Sequence, residues 1–202
     1  MEPGGLRAID RVQLKALLRA YFRMSSRGVS LIKGKSGAPT SLAYVLVMYF
    51  VIGAVIGAAA FAHFDVFTYC LVLHTLTLFV VGMAAVIESN DVLFDSKEDE
   101  LLLHRPIHPS TLLAAKSLAL IGFSLLLAFA VNIVPTFTGL ALKGAQPWFP
   151  LVHVVSTIGL VVFACAAVVC TYGIVLRLFG RERFENLAVY SQVGMMLVFV
   201  GG

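Results

Sequence analysis

The chain has 202 residues, of which 59% are hydrophobic and 13% charged, with a formal net charge of +4. Soluble domains average roughly 45–50% apolar and about 25% charged residues, and here the few charges are bunched. Residues 1–40 hold eight basic and two acidic side chains, 88–109 hold two and six, and 177–186 hold three and two. Between these blocks run stretches of twenty or more residues without Asp, Glu, Lys or Arg. That distribution excludes a water-soluble globule, a disordered tail and a nucleic-acid binder. It predicts an all-α, polytopic membrane bundle forming one transmembrane domain over 1–202.

The amino end predicts a helix over Leu6–Arg23. Arg7, Arg11, Lys15, Arg19 and Arg23 recur every four residues as a basic stripe, while Leu6, Ile9, Leu17 and Tyr21 lie on the other side. Such a helix suits the membrane interface, with its apolar side down and its cations on anionic lipid head groups; a solvated basic helix without lipid contact is the alternative. Its basic region is too long for a secretory signal, and no small-residue cleavage site follows a short apolar core. Residues 28–40, rich in Gly, Ser and Pro, are expected to form a hinge.

A bilayer core of about 30 Å needs about 20 apolar residues in helix. Ser41–Ala62, Val66–Ile87, Ser117–Leu142 and Phe149–Leu176 meet that test. Leu187–Gly202 is equally apolar but has only 16 residues, and is expected to be a truncated fifth span. With the amino end inside, the internal segments 1–40, 88–116 and 177–186 hold fourteen Lys and Arg, and the external turns hold one. The bias towards basic inner loops predicts a cytoplasmic amino terminus. Trp148, between Pro147 and Pro150, falls where an interfacial aromatic anchor is expected.

Within the spans, Gly53 and Gly57 make a small-xxx-small face that lets another helix approach closely, either in the same chain or in a second copy. In the third span Asn132 and Pro135 interrupt the apolar run. Proline removes a helical hydrogen bond, asparagine is able to satisfy a freed carbonyl, and a kink is expected there. Cys70, Cys165 and Cys170 all fall in spans and imply no disulfide framework.

Chemistry-bearing motifs are sparse. Gly34-Lys35-Ser36 is not a phosphate loop, because five residues rather than four separate Gly28 from Gly34 and no buried strand precedes it. Nucleotide binding, metal binding and any cofactor are therefore not expected of this chain. His104 and His108 are four apart, but Pro106 stands between them, so a loop with solvated histidines is expected rather than a metal pair. His74 and His153 are single polar groups at membrane depth. Such residues call for a functional hypothesis, although a neutral imidazole bonded to a neighbouring helix is the expected state. Asp65 and Glu88 sit at span ends, which gives a proton relay little support. No catalytic constellation appears, so an enzyme is not expected.

The loop after the second span is the most informative segment. Glu88–Pro109 carries Asp91, Asp95 and Asp99 at spacing four, with Glu98 and Glu100 beside them. Leu101, Leu102 and Leu103 follow, the segment ends at Pro106, and Ser110 is placed to cap the helix that re-enters the membrane. A short acidic helix with exposed leucines is either a solvated connector or a docking element. As a docking element its apolar residues enter a groove on a soluble partner and its carboxylates meet basic residues at the rim.

At this loop the chain resembles the permease subunit of type-two ATP-binding-cassette exporters. The resemblance rests on Asp95, Asp99, Leu101–Leu103, Pro106-Ile107, Leu113, Ala115 and Lys116, and on the order of amino-terminal helix, two spans, intracellular coupling helix and further spans. His104-Arg105 and His108 replace the more usual small or apolar neighbours of the Pro-Ile turn. The family has at least six spans, so the chain looks like the amino-terminal part of a longer permease. The resemblance implies a soluble ATPase subunit that docks on Asp91, Asp95, Glu98, Asp99, Glu100, Leu101–Leu103 and Pro106. It also implies a second permease half or a homodimer, with membrane lipids around it and no nucleic acid. A secondary transporter or channel, and a non-transporting membrane scaffold, are the alternatives.

Overall fold

A computed structural model describes residues 11–27, 42–93, 109–179 and 193–194. Five helices account for nearly all of it: α1 (Arg11–Arg27), α2 (Leu42–His63), α3 (Val66–Leu93), α4 (Pro109–Thr138) and α5 (Phe149–Phe179), with a 3₁₀ turn at Gly139–Ala141 before α5. No strand occurs among the described residues. Four of the helices, α2 to α5, are long and apolar enough to cross a membrane.

Local chemistry explains the helix ends. Asp65, in the two-residue link between α2 and α3, accepts hydrogen bonds from the Phe67 amide (3.1 Å) and the Thr68 hydroxyl (2.5 Å), and so caps the first turn of α3. At the start of α4, Pro109 is already helical, where its missing N–H costs no intrahelical bond. Ser110 therefore lies inside the helix and not at the capping position expected for it. Gly144, at φ 91°, turns the chain between the 3₁₀ segment and α5.

The bundle is a flattened diamond. α4 touches every other helix, and α3 packs against α2, α4 and α5. α3 and α4 thus form the short diagonal, with α2 and α5 at opposite corners. Their apolar windows follow this placement, being 44% and 39% buried in α3 and α4 but 22% in α2 and α5. One core layer holds Val81, Ala85, Leu120, Ala128, Val161 and Cys165, between α3, α4 and α5. A second sets Val45 of α2 against Ala84, Phe123 and Leu127. The outward faces of the corner helices are apolar, with Val47, Val51 and Val55 on α2 and Leu151, Val155 and Phe163 on α5. Such surfaces are stable against lipid and not against water.

The close α2–α4 contact uses the predicted small-residue face, within one chain. A Cβ on Gly53 would run into the backbone of Val131, and one on Gly57 would stand 2.8 Å from Cγ of Pro135. α4 stays helical through Pro135. The carbonyl deprived of its donor by Pro135 is that of Val131, and the flank of Gly53 covers it, the kind of approach at which Cα–H···O contacts form. Asn132 does not serve that carbonyl, contrary to the expectation.

α1 packs against α4. Tyr21 is buried and Leu14, Leu17 and Leu18 are half-buried, while Arg11, Lys15 and Arg19 are exposed. The basic and apolar sides fall as the spacing predicts, but the apolar side meets protein. Described α1 continues to Arg27; Leu6, Arg7 and Ile9 lie outside the described residues, as does the side chain of Arg23. The expected fifth span is likewise outside them apart from Val193 and Gly194.

Candidate functional site: a polar cluster inside the bundle

Asp95, Glu98, Asp99, Glu100, Leu101–Leu103 and Pro106 lie outside the described residues, and Asp91 is in the last turn of α3 with its side chain undescribed. Trp148 is exposed just before α5, beside the turn that follows α4. What the described residues bring together is a chain of polar side chains on the facing sides of α3, α4 and α5.

Asn132 is its hub. The side-chain amide nitrogen donates to the Thr77 hydroxyl at 2.7 Å and to the Ala128 carbonyl at 2.9 Å. The amide oxygen faces Nε2 of His153 at 3.1 Å. Thr77 in turn donates to the Leu73 carbonyl at 2.7 Å. All three side chains are buried, and each bond offsets a desolvation cost of about 1–3 kcal/mol that an unpaired group would carry. Three helices are therefore joined through one amide.

The second histidine lies beside the first. The His74 and His153 rings meet edge to face with centroids 5.0 Å apart, and Phe149 stacks on His153 at 5.6 Å. Nδ1 of His74 faces the Cys70 carbonyl at 2.8 Å, and its Nε2 faces the Ser156 hydroxyl of α5, also at 2.8 Å. Ser156 is within reach of the His153 carbonyl as well, at 3.0 Å. Each imidazole is thus bonded to a neighbouring helix, as expected. Nearer the helix ends, the Tyr69 hydroxyl donates to the Pro135 carbonyl at 2.9 Å and lies 2.8 Å from the Thr138 hydroxyl. Tyr69 thereby ties α3 to the last turn of α4, which follows the proline.

The cluster is off-centre along the bundle. His153 is four residues into α5, about 6 Å along its axis, and His74 is eight into α3, about 12 Å. Both therefore lie towards the end that carries the α2–α3 link and the turn before α5. Asp65 is at that end but outside the cluster, fully exposed, where the Thr68 hydroxyl and the Phe67 amide hold its carboxyl below the usual range. Among the described residues no group of three or more His, Cys, Asp or Glu is placed to hold a metal.

The sequence carries a signal for this cluster: His74 and Thr77, Asn132 and Thr136, and His153 with Ser156 and Thr157 are three or four residues apart, so α3, α4 and α5 each carry a polar stripe.

The described fold is that of a helical integral membrane protein with four helices able to span a bilayer. No protein-family model, curated protein or solved structure matches the chain.

Proposed function

We propose that this chain is the permease part of an ATP-driven exporter. A separate soluble ATPase docks on residues 89–109, and its closure moves α3 and α4 so that a pathway beside them opens alternately to the two sides of the membrane. Asp91, Asp95, Glu98, Asp99 and Glu100 supply charge for the rim of the docking groove, Leu101–Leu103 supply the apolar insert, and Pro106 ends the element. A second permease half, or a second copy, completes the pathway.

The observation that carries this reading is where the acidic leucine loop attaches. It joins the carboxyl end of α3 to the amino end of α4, the two helices at the centre of the diamond. α3 continues five residues past Glu88, where its apolar span ends, so a load on the loop is passed to that helix beyond its apolar span. Because α4 touches every other helix, displacement there reaches the whole bundle.

Purification in mild detergent tests the proposal. The wild-type chain should bring down an ATP-hydrolysing protein. L101D/L102D should lose it while keeping its own membrane level and thermal stability. Recovery of the same ATPase with both leucines changed would overturn the docking role.

A further inference from the structure

The hydrogen-bond partners of His74 differ in kind, and that difference decides where its protons sit. The Cys70 carbonyl 2.8 Å from Nδ1 only accepts, so Nδ1 carries a proton in every state of the ring. The lone pair of neutral His74 is therefore on Nε2, facing Ser156. A serine hydroxyl both donates and accepts. In the neutral state it donates to Nε2. When Nε2 takes a proton from water, the new N–H donates to the serine oxygen at the same 2.8 Å, and the hydroxyl turns to the His153 carbonyl 3.0 Å away. No heavy atom has to move, and neither charge state leaves a polar group of the pair unmatched.

His153 is built the other way. The Ala128 carbonyl fixes which end of the Asn132 amide is nitrogen, so its oxygen meets Nε2 of His153, and that nitrogen must carry the proton. Nδ1 of His153 is then a bare lone pair, buried and without a hydrogen-bond partner. A proton added there would have no acceptor, in a ring only 2% exposed. A charge on His74, 5.0 Å away between centroids, would oppose it further.

We infer that His74 is a proton-binding site inside the bundle, with Ser156 as the hydroxyl that serves both its charge states and His153 as the neighbour that stays neutral while His74 takes its proton. The inference does not depend on coupling to an ATPase. Other groups that could set the charge state are few. α5 presents His153, and α4 presents the neutral Asn132. On α3 itself stand Cys70 and Tyr69, the latter bonded to Pro135 and Thr138. α2 turns Tyr49 towards α3, on the separate layer of Leu76 and Val80. Asp65 and Lys143, at the end of the bundle, are exposed. Ser156 is also exposed, so the imidazole is one hydroxyl away from the bundle surface. An ionisable group at membrane depth that can hold a proton without rearrangement is a place for protons to enter and leave, and a means for pH to set the charge between α3 and α5.

Nitrogen NMR of the full chain, labelled in its histidines and held in detergent micelles, tests this directly. H74Q and H153Q assign the two rings. At pH 8 His74 should show the Nδ1–H tautomer and His153 the Nε2–H tautomer. On acidification His74 should become doubly protonated before His153 does. S156A should weaken proton binding at His74 severalfold, because the new N–H loses its acceptor, and S156T should restore it. Identical tautomers, His153 charging first, or an unchanged midpoint in S156A would each overturn the inference. Should S156A fail to fold, the tautomer pair and the order of titration in the wild-type chain decide the matter.

Discussion

Gly53 of α2 lies directly against the backbone of Val131 in α4, at the carbonyl that Pro135 deprives of its helical donor. Two sequence features in different spans, Gly53 and Pro135, thus answer each other across 82 residues of chain. The glycine gives the room, and the proline leaves the acceptor exposed.

Substitution at the two glycines should be graded by what stands opposite. G53A would force backbone against backbone, and should cost about 1–3 kcal/mol. G57A meets the edge of the Pro135 ring, which is able to pucker away, and should cost less. G159A has nothing within 4 Å and should be neutral or slightly stabilising. Thermal unfolding in detergent ranks the three; an equal effect of G53A and G159A would contradict the packing.

Removing the amide hub should weaken the contact between three helices. N132L would strand the Nε2 proton of His153, at a cost of about 1–3 kcal/mol. Its effect should be non-additive with H153F, which removes the group left unpaired. A double mutant whose loss equals the sum of the single losses would show that the two side chains act independently.

Tyr69→Phe deletes one hydroxyl that ties α3 to the Pro135 carbonyl. The expected loss is about 1 kcal/mol, from one buried hydrogen bond. Hydrogen exchange should rise at the amides around Thr138 and Gly139, while those near Leu120 should stay as protected as before.

The cap at Asp65 should make stability depend on acid. Its folded pKa is held down, first by Thr68 and also by the Phe67 amide. The unfolded chain therefore binds this proton more readily, and stability from the cap is present above the ordinary carboxylate pKa and disappears as pH falls through the folded value. D65N keeps a capping oxygen without the titration. Between pH 6 and pH 3 the wild-type midpoint should drop more steeply than that of D65N, and parallel curves would count against the cap.

Much of the fold was legible in the sequence because the bilayer imposes a length. The apolar runs from Ser41, Val66 and Phe149 match α2, α3 and α5 to within a few residues at their starts. α4 begins eight residues before Ser117 because Lys116 is buried in the protein and does not mark the helix end. Likewise the spacing of Arg11, Lys15 and Arg19 separated the two sides of α1. The site was much less legible. Periodicity shows that His74 and Thr77 share a face of α3, but not that this face turns towards His153. Rotation of one helix against another is decided by packing, here by Gly53 on Val131 and by the layer of Val81, Leu120 and Val161. The proton positions on His74 and His153 depend on partners 82 and 21 residues away along the chain, on other helices, and on a carbonyl of the same helix, which no single stretch of sequence contains.

The link between α2 and α3 is only Phe64 and Asp65, yet α2 rests its glycine face on α4 and meets α3 much less. During synthesis the first hairpin must enter the membrane with that face still unfilled. Its proper seat arrives only when the ribosome has made Val131 and Pro135. Biogenesis of this bundle therefore includes a waiting period, in which an early helix stands beside its hairpin partner until a later one slots in.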